Sequence, residues 1–259
     1  MKGKLALVTG STAGIGYAIA ETLAQEDARI IISGRTQAAV EAAVAKLKAA
    51  TGKTASGFAG DLATAETCDE LARRYPDVEI LVNNLGIYER MAFDDITDAD
   101  WRRFFETNVL SGVRLARAYL PGMRERNWGR IIFISSESAV QIPVEMIHYG
   151  MTKTAQLAVA RGLAEMVAGT SITVNSVLPG PTRSRGVGAA IARAAKAQGK
   201  SVDEVEGDFL KRARPTSLIK RFAEPHEVAT LVAYVASPLA SATTGAALRV
   251  DGGVVKSAF

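Results

Sequence analysis

Short apolar runs alternate with longer amphipathic stretches along the chain. Such runs are typical of strands that are buried on both faces of a parallel sheet. They predict strands at residues 5–8, 30–32, 54–58, 80–82, 130–134, 172–177 and 247–250. The amphipathic stretches predict helices at residues 14–26, 37–50, 65–74, 98–120, 148–168 and 224–236. We expect Asp98 to be the N-cap of the long helix that follows it.

Strict alternation of strand and helix predicts an α/β fold. The expected architecture is a Rossmann-type, doubly wound parallel β-sheet of about seven strands with helices on both faces. No Pro/Ser-rich linker interrupts the pattern, so we expect a single domain over residues 1–259. Residues 182–215 break the rhythm, being rich in alanine and charge, and are predicted to form a mobile helical lid over the substrate.

Composition narrows the possible classes of protein. Of the 259 residues, 48% are hydrophobic and 22% are charged, as in ordinary globular proteins. Cys68 is the single cysteine and the only histidines are His148 and His226, so neither an intrachain disulfide nor a catalytic metal is expected. The net charge of +4 comes from mixed basic and acidic residues without runs, which argues against a nucleic-acid partner. No apolar run approaches the ~20 residues of a membrane span, so we expect a cytoplasmic protein without a membrane partner.

A glycine-rich turn follows the first predicted strand. Gly10, Gly14 and Gly16 stand in a Gly-x-x-x-Gly-x-Gly spacing between that strand and the first helix. Glycines at such a turn allow close approach of a diphosphate, whose charge the N–H groups and dipole of the helix favour. The alternative is a purely structural turn.

Tyr149 and Lys153 are four residues apart, which places both side chains on one face of a helix. A nearby ammonium favours the phenolate, so the spacing predicts a Tyr149 pKa lowered toward neutrality. Such a phenol would act as a general acid/base.

The motifs occur in an order that resembles the short-chain dehydrogenase/reductase family, in particular its 3-oxoacyl-ACP reductase-like oxidoreductases. The matching residues are Thr9 to Gly16, Asp61-Leu62, Asn83-Asn84-Leu85-Gly86, Asn108, Ser135-Ser136, Tyr149 with Lys153, Pro179-Gly180 and Asp251-Gly252-Gly253. The resemblance covers essentially the whole chain. It implies a nicotinamide-dependent oxidoreductase that transfers hydride between its cofactor and a carbonyl or secondary alcohol.

The resemblance also implies which residues bind NAD(P). The pyrophosphate is expected at Gly10, Ser11, Thr12, Gly14, Ile15 and Gly16. Asp61 and Leu62 are expected at the adenine, and Asn84 and Gly86 along the adenosine ribose. The nicotinamide end is expected at Tyr149, Lys153, Pro179, Gly180, Thr182 and Ser184, of which the last replaces the family's usual threonine. Leu85 replaces the usual alanine and adds volume near the cofactor.

The choice between NADP(H) and NAD(H) depends on the end of the second strand. An acidic residue there would bind the ribose 2′-OH of NAD, but the position holds Gly34. Arg35 follows with a guanidinium suited to a 2′-phosphate, and Ser33 and Thr36 offer hydroxyl groups. NADP(H) is therefore expected, with NAD(H) as the alternative if Arg35 only stacks on adenine.

By resemblance, the catalytic residues are Asn108, Ser136, Tyr149 and Lys153. Tyr149 exchanges a proton with the substrate oxygen, which Ser136 polarises, while Lys153 binds the nicotinamide ribose and lowers the pKa of Tyr149. Asn108 is expected to interrupt its helix and hold a water that connects Lys153 to solvent. Ser135 is the alternative to Ser136.

The substrate is expected beside the segment between Ser136 and Tyr149 and beneath the lid. Its predicted surroundings are Glu137, Val140, Gln141, Val144, Glu145 and Met146. The basic lid residues Arg183, Arg185, Lys211, Arg212 and Arg214 either attract an anionic substrate or lie on solvated helix faces. Glu137 either selects a polar or cationic group or points to solvent.

The family usually assembles through its long helices, so a homotetramer, or a homodimer, is expected. The apolar C-terminal residues Val254, Val255 and Phe259 are compatible with such an interface. The alternative function is a non-catalytic nucleotide-binding sensor or scaffold of the same fold.

Overall fold

A seven-stranded sheet forms the centre of the molecule. The computed structural model describes residues 1–258 and, for Arg185, the backbone only, so Phe259 and the Arg185 side chain lie outside the described residues. The strands are β1 (Leu5–Val8), β2 (Arg29–Gly34), β3 (Ala55–Ala59), β4 (Ile80–Asn83), β5 (Gly129–Ile134), β6 (Ile172–Pro179) and β7 (Ala247–Val250). All six strand pairs are parallel, in the order β3-β2-β1-β4-β5-β6-β7. The predicted doubly wound fold is confirmed.

Helices cover both faces of this sheet. They are α1 (Gly14–Gln25), α2 (Gln37–Thr51), α3 (Ala65–Arg74), α4 (Asp98–Phe105), α5 (Ser111–Glu125), α6 (Ile147–Met166), α7 (Arg185–Gln198), α8 (Val202–Ala213) and α9 (Pro225–Ala236). Successive strand residues point to opposite faces, so each apolar strand contributes to two cores. In β1, Ala6 and Val8 pack under α1, α2 and α9, whereas Leu5 and Leu7 pack under α3, α5 and α6.

The order in which consecutive strands are added to the sheet reverses beside β1. That strand pairs with β2 on one side and with β4 on the other. In doubly wound sheets a crevice forms at such a point, outside the carboxyl ends of the strands. The turns after β1, β4 and β5 carry Gly10, Asn84 and Ser136, so the topology brings three of the predicted motifs to one edge.

The long helix before β5 differs from the prediction at its start. Asp98 is the first helical residue, and Thr97 is the N-cap: its hydroxyl accepts from the Asp100 N–H and the Asp100 side chain accepts from the Thr97 N–H. This reciprocal pair is a capping box, which satisfies two N–H groups that a helix start otherwise leaves free. The expected interruption at Asn108 is present as a π-helical turn, Glu106–Leu110, between α4 and α5.

The predicted lid consists of α7 and α8, which pack on each other around a small apolar cluster that includes Ile191, Leu210 and Phe222. Arg183 holds this unit: it donates to both carboxylate oxygens of Glu206 at 2.8 and 2.6 Å and to Glu224 at 3.2 Å. The Arg183 guanidinium therefore forms ion pairs that hold the segment together. Among the described helices, none is both long and apolar enough to span a bilayer.

Candidate active site at the carboxyl edge of the sheet

The glycine turn after β1 is tightly packed against the turn after β4. Gly10 and Gly14 adopt φ values of +62° and +59°, a region that side chains disfavour. At Gly16 a Cβ would lie 2.4 Å from Asn84 Nδ2 and 2.6 Å from the Gly10 carbonyl oxygen. The Asn84 amide donates to the carbonyls of Thr9 at 2.8 Å and Gly10 at 3.2 Å. Asn84 thus holds the glycine turn in place.

Two serines that were expected to face the cofactor are used inside the protein. The Ser11 hydroxyl donates to the Val8 carbonyl at 2.7 Å and accepts from the Ser33 N–H at 3.0 Å. The Ser33 hydroxyl accepts from the Gly10 N–H at 3.2 Å. Both side chains are buried, so they fix the shape of the turn, and a ligand there would contact the backbone of the turn instead of these hydroxyl groups.

Beside the turn lies a cavity of about 100 Å³, here called the inner cavity. Its lining residues are Gly10, Thr12, Ser33, Gly34, Arg35, Gly60, Asp61, Leu62 and Leu85. A Cβ at Gly34 would lie 2.4 Å from Thr12 Cγ2, so an acidic side chain does not fit at that place without movement. Arg35 is exposed at the rim. Thr36 instead caps α2 through a hydrogen bond from the Ala39 N–H.

Ser136 and Tyr149 meet at the end of β5. The Ser136 hydroxyl accepts from the Ser138 N–H at 3.1 Å and lies near enough to the Tyr149 phenol to lower its pKa. Ser135 is not at the same place, because its hydroxyl donates to the Lys153 carbonyl at 2.8 Å inside the protein. The geometry therefore joins Ser136, not its neighbour, to the phenol.

The pKa of Tyr149 differs from the prediction. Burial raises it to about 12, and the nearby Ser136 hydroxyl opposes this rise only in part. The Lys153 ammonium lies 5.6 Å from the Tyr149 ring centroid and donates to the Ile134 carbonyl at 2.9 Å, so it does not outweigh the effect of burial on the pKa of Tyr149. Burial also lowers the pKa of Lys153 to about 7, since desolvation disfavours the charged form of both groups.

Asn108 connects three segments near Lys153. Its side-chain oxygen accepts from the Ile87 N–H at 2.8 Å, and its amide donates to the Ile87 carbonyl and to the Thr152 hydroxyl, both at 3.0 Å. Its own carbonyl accepts from Gln156 Nε2 at 2.6 Å. The Gln156 side-chain amide also accepts from Lys153 Nζ at 3.3 Å, so it links the main chain of Asn108 to Lys153.

The turn after β6 reaches the same edge. Gly180 lies against β7, since a Cβ there would be 2.5 Å from the Asp251 carbonyl oxygen. The buried Thr182 hydroxyl donates to the Gly180 carbonyl at 2.9 Å. Pro179 ends β6, and Ser184 stands immediately before α7 with no side-chain capping bond.

A larger cavity of about 430 Å³, here called the outer cavity, lies between the Ser136–Tyr149 segment and the lid. Its lining residues are Arg90, Gln141, Ile142, Pro143, Val144, Glu145, Arg212, Ala213 and Arg214. Arg214 Nε donates to Glu137 Oε1 at 2.7 Å, and both side chains are buried. Glu137 therefore neither faces solvent nor offers this oxygen to a substrate, and it anchors the end of α8 beside Ser136.

Two residues near the site, Tyr88 and Gln156, were not predicted from the sequence, and a third, His148, was not assigned a chemical role. Tyr88 contacts Tyr149 edge to face at 6.5 Å between ring centroids, and no sequence signal indicated it. Gln156 follows Lys153 by three residues, a helical spacing that places it on the same face. His148 is fully buried between Trp101 and Phe104, and neither ring nitrogen has a hydrogen-bond partner among the described residues.

Comparisons with known proteins agree with this geometry. A family model described as short chain dehydrogenase matches residues 4–195. The chain is 49% identical over 260 residues to the uncharacterised oxidoreductase YvaG of Bacillus subtilis, covering 100% of this chain and 98% of the relative. It is 30% identical to the D-beta-hydroxybutyrate dehydrogenase of Cupriavidus necator, covering 98% and 99% of the two chains.

Among solved structures, the L-sorbose reductase of Gluconobacter frateurii, complexed with NADPH and L-sorbose, superposes with a TM-score of 0.93. Its sequence is 34% identical, and the match covers 99% of this chain and 98% of that one. With the family model spanning most of the sequence and relatives matched from end to end, this protein belongs to the short chain dehydrogenase family.

Proposed function

We propose that this protein is an NADP(H)-dependent oxidoreductase that transfers hydride between the nicotinamide and a carbonyl or secondary alcohol, with Tyr149 as general acid/base. The observation that carries the proposal is the placement of the Ser136 hydroxyl beside the Tyr149 phenol, at the sheet edge that also holds the glycine turn. Both hydroxyl groups are available to one substrate oxygen.

The residues present suit a dinucleotide. The glycine turn leaves no room for a Cβ at Gly16, Gly10 and Gly14 have positive φ, and the turn leads into the N-terminus of α1, where free N–H groups favour a phosphate. Asp61 and Leu62 line the inner cavity for the adenine end, and Lys153, Gly180 and Thr182 lie toward the nicotinamide end. When bound, the nicotinamide supplies or accepts the hydride.

Tyr149 supplies the proton. Because its pKa is raised to about 12, the phenol is protonated at neutral pH and holds the proton that a reduced carbonyl oxygen takes up. Ser136 donates a hydrogen bond to the same oxygen and stabilises that charge. In oxidation the same proton moves back from the alcohol to Tyr149.

NADP(H) is the cofactor that the rim of the inner cavity favours. Gly34 leaves no carboxylate to repel a 2′-phosphate, and the exposed Arg35 offers a planar guanidinium to it. The NADPH in the L-sorbose reductase complex supports this choice by analogy.

Replacing Arg35 with Asp should reverse the cofactor preference. Hydrogen bonds to charged groups are worth about 1.5–3 kcal/mol, so NADPH affinity should fall by roughly tenfold to a hundredfold. Affinities for NADPH and NADH are measured by fluorescence titration. Arg29→Asp, at the opposite end of β2 and also exposed, is the matched control and should leave both affinities unchanged. Unchanged NADPH affinity in Arg35→Asp would refute the assignment of this arginine.

The outer cavity is the proposed place for the rest of the substrate, and residues 182–215 are the proposed lid over it. Residues 1–259 are proposed to form a single domain. One wall of this cavity is residues 141–145, in the segment between Ser136 and Tyr149. A panel of ketones, ketoacids, sugars and secondary alcohols, assayed with both cofactors, tests the reaction class. No turnover of any member with either cofactor would contradict it.

We also propose a homotetramer, with a homodimer as the smaller assembly, and a cytoplasmic location. Phe105 on α4 and Met166 on α6 are 38% and 52% exposed, so the helices expected at the interface present apolar side chains. Val254 and Val255 do not contribute as predicted, because both are buried within the chain. Light scattering should give the mass of four chains; the mass of one chain would exclude the proposal.

A further inference from the structure

Gln156 lies on α6 three residues after Lys153, on the same helix face and only 1% exposed. Its Nε2 donates to the Asn108 carbonyl at 2.6 Å, and its Oε1 accepts from Lys153 Nζ at 3.3 Å. One side chain therefore bridges two of the residues assigned to the reaction.

The chemistry of the two partners fixes the orientation of this amide. A backbone carbonyl only accepts hydrogen bonds and an ammonium only donates them. The reversed amide would place two oxygens against each other at the Asn108 end and two donors together at the Lys153 end. The amide therefore suits the charged form of Lys153.

The far end of the bridge is rigid. Asn108 lies in the π-helical turn, and its side chain is held by Ile87 and by Thr152 on α6. Asn108 and Lys153 are 1% and 4% exposed. Water therefore has little access to replace a lost bond, and an unpaired group there is costly.

We propose that Gln156 is a positioning residue of this site: it ties the Lys153 ammonium to the main chain of Asn108 and supports its charged form. The inference rests on the proposed function for its consequence in catalysis, but not for the contact itself. The Lys153 ammonium donates to one backbone oxygen, the Ile134 carbonyl, and to one side-chain oxygen, which Gln156 supplies.

Charged groups on the elements around α6 have other partners. Glu106 pairs with Arg114, Glu137 with Arg214, Asp98 with Arg102, Asp100 with Arg103, Arg161 with Glu165, and Arg130 donates to the carbonyls of Gly129 and Ser171. Glu145 lines the outer cavity, and His148 is enclosed by Trp101 and Phe104. Tyr149 is the titratable group beside Lys153. The hydrogen bond from Lys153 to the Gln156 oxygen is therefore the contact that a test of the Lys153 environment should change.

Two substitutions separate the positioning role from simple packing. Gln156→Met keeps the length of the side chain but removes the acceptor, so the charged form of Lys153 loses support and its pKa should fall further, by about one unit. Gln156→Glu keeps an acceptor oxygen, so the pKa of Lys153 should be unchanged or raised. A defect of packing alone would move the pKa in both variants alike.

The experiment is an NMR titration of the full chain with isotopically labelled lysine, without added cofactor. The Lys153 resonance is assigned by its loss in Lys153→Arg, and thermal unfolding verifies that each variant is folded. Gln25→Met, exposed at the end of α1, is the matched control. The proposal predicts a lower Lys153 pKa in Gln156→Met only. An unchanged pKa in Gln156→Met, or a fall in both Gln156 variants, would overturn it.

Kinetics then tie the contact to the reaction. If Lys153 acts in its charged form, the alkaline limb of kcat/KM should move to lower pH in Gln156→Met and not in Gln156→Glu. Absence of turnover in the unsubstituted protein would refute the proposed function and leave the NMR result standing. Normal turnover with no shift of this limb in Gln156→Met would overturn the positioning role alone.

Discussion

Tyr149→Phe should lose the proposed carbonyl reductase activity while it keeps the fold and NADPH binding. The substitution removes only the hydroxyl that is proposed to give its proton to the substrate oxygen. General acid/base catalysis contributes about 10²–10⁴-fold, so kcat should fall by that factor. The ring remains, with its edge-to-face contact to Tyr88 at 6.5 Å, so packing at the site changes little.

The measurement is NADPH oxidation in the presence of a carbonyl, together with NADPH affinity. Tyr234→Phe, on α9 and 47% exposed, removes a hydroxyl far from the site and should leave kcat unchanged. If Tyr149→Phe retained full kcat, Tyr149 would not be the acid. If it lost NADPH affinity by the same factor, the phenol would serve binding instead of proton transfer.

Gly16→Ala should weaken NADPH binding. The added Cβ would lie 2.4 Å from Asn84 Nδ2 and 2.6 Å from the Gly10 carbonyl oxygen, closer than real Cβ contacts. Asn84 cannot simply move aside, because it holds the carbonyls of Thr9 and Gly10. The glycine turn must therefore open. Strain from such overpacking is about 1–3 kcal/mol, so NADPH affinity should fall by about tenfold or more.

Gly207→Ala is the matched control for this substitution. Gly207 also lies within a helix, α8, but a Cβ there would meet no atom within 4 Å. Alanine in a helix interior is favoured over glycine by roughly 0.5–1 kcal/mol, so this variant should be as stable as the unsubstituted protein or slightly more so. Fluorescence titration and thermal unfolding give both quantities. Unchanged NADPH affinity in Gly16→Ala would show that the turn does not bind the pyrophosphate.

Much of the fold follows from the pattern of apolar positions. Strands buried on both faces require continuous apolar runs, and helices between them require a different period, so elements such as β5 and α3 are distinct in the sequence. The start of α4 was wrong by one residue because both Thr97 and Asp98 are good N-caps. The distinguishing signal is Asp100, three residues after Thr97, whose carboxylate completes the capping box.

The site was less predictable than the fold. Helical spacing placed Tyr149 beside Lys153, but it carries no information on burial, and burial sets the direction of both pKa shifts. The ion pair of Glu137 with Arg214 joins residues far apart in sequence, and no local pattern indicates it. Gln156 had a signal, its spacing from Lys153, but its contact with Asn108 depends on the π-helical turn.

The central claim is that the protein transfers hydride from NADPH to a carbonyl carbon at Tyr149. The most direct test is incubation with NADPH that carries deuterium at the transferable position, using a ketone selected from the substrate panel, followed by mass spectrometry of the alcohol. The account predicts one deuterium on the carbinol carbon with the unsubstituted protein and a rate reduced by about 10²–10⁴-fold with Tyr149→Phe. NADPH that binds but delivers no deuterium to any carbonyl would contradict it and favour a nucleotide-binding sensor.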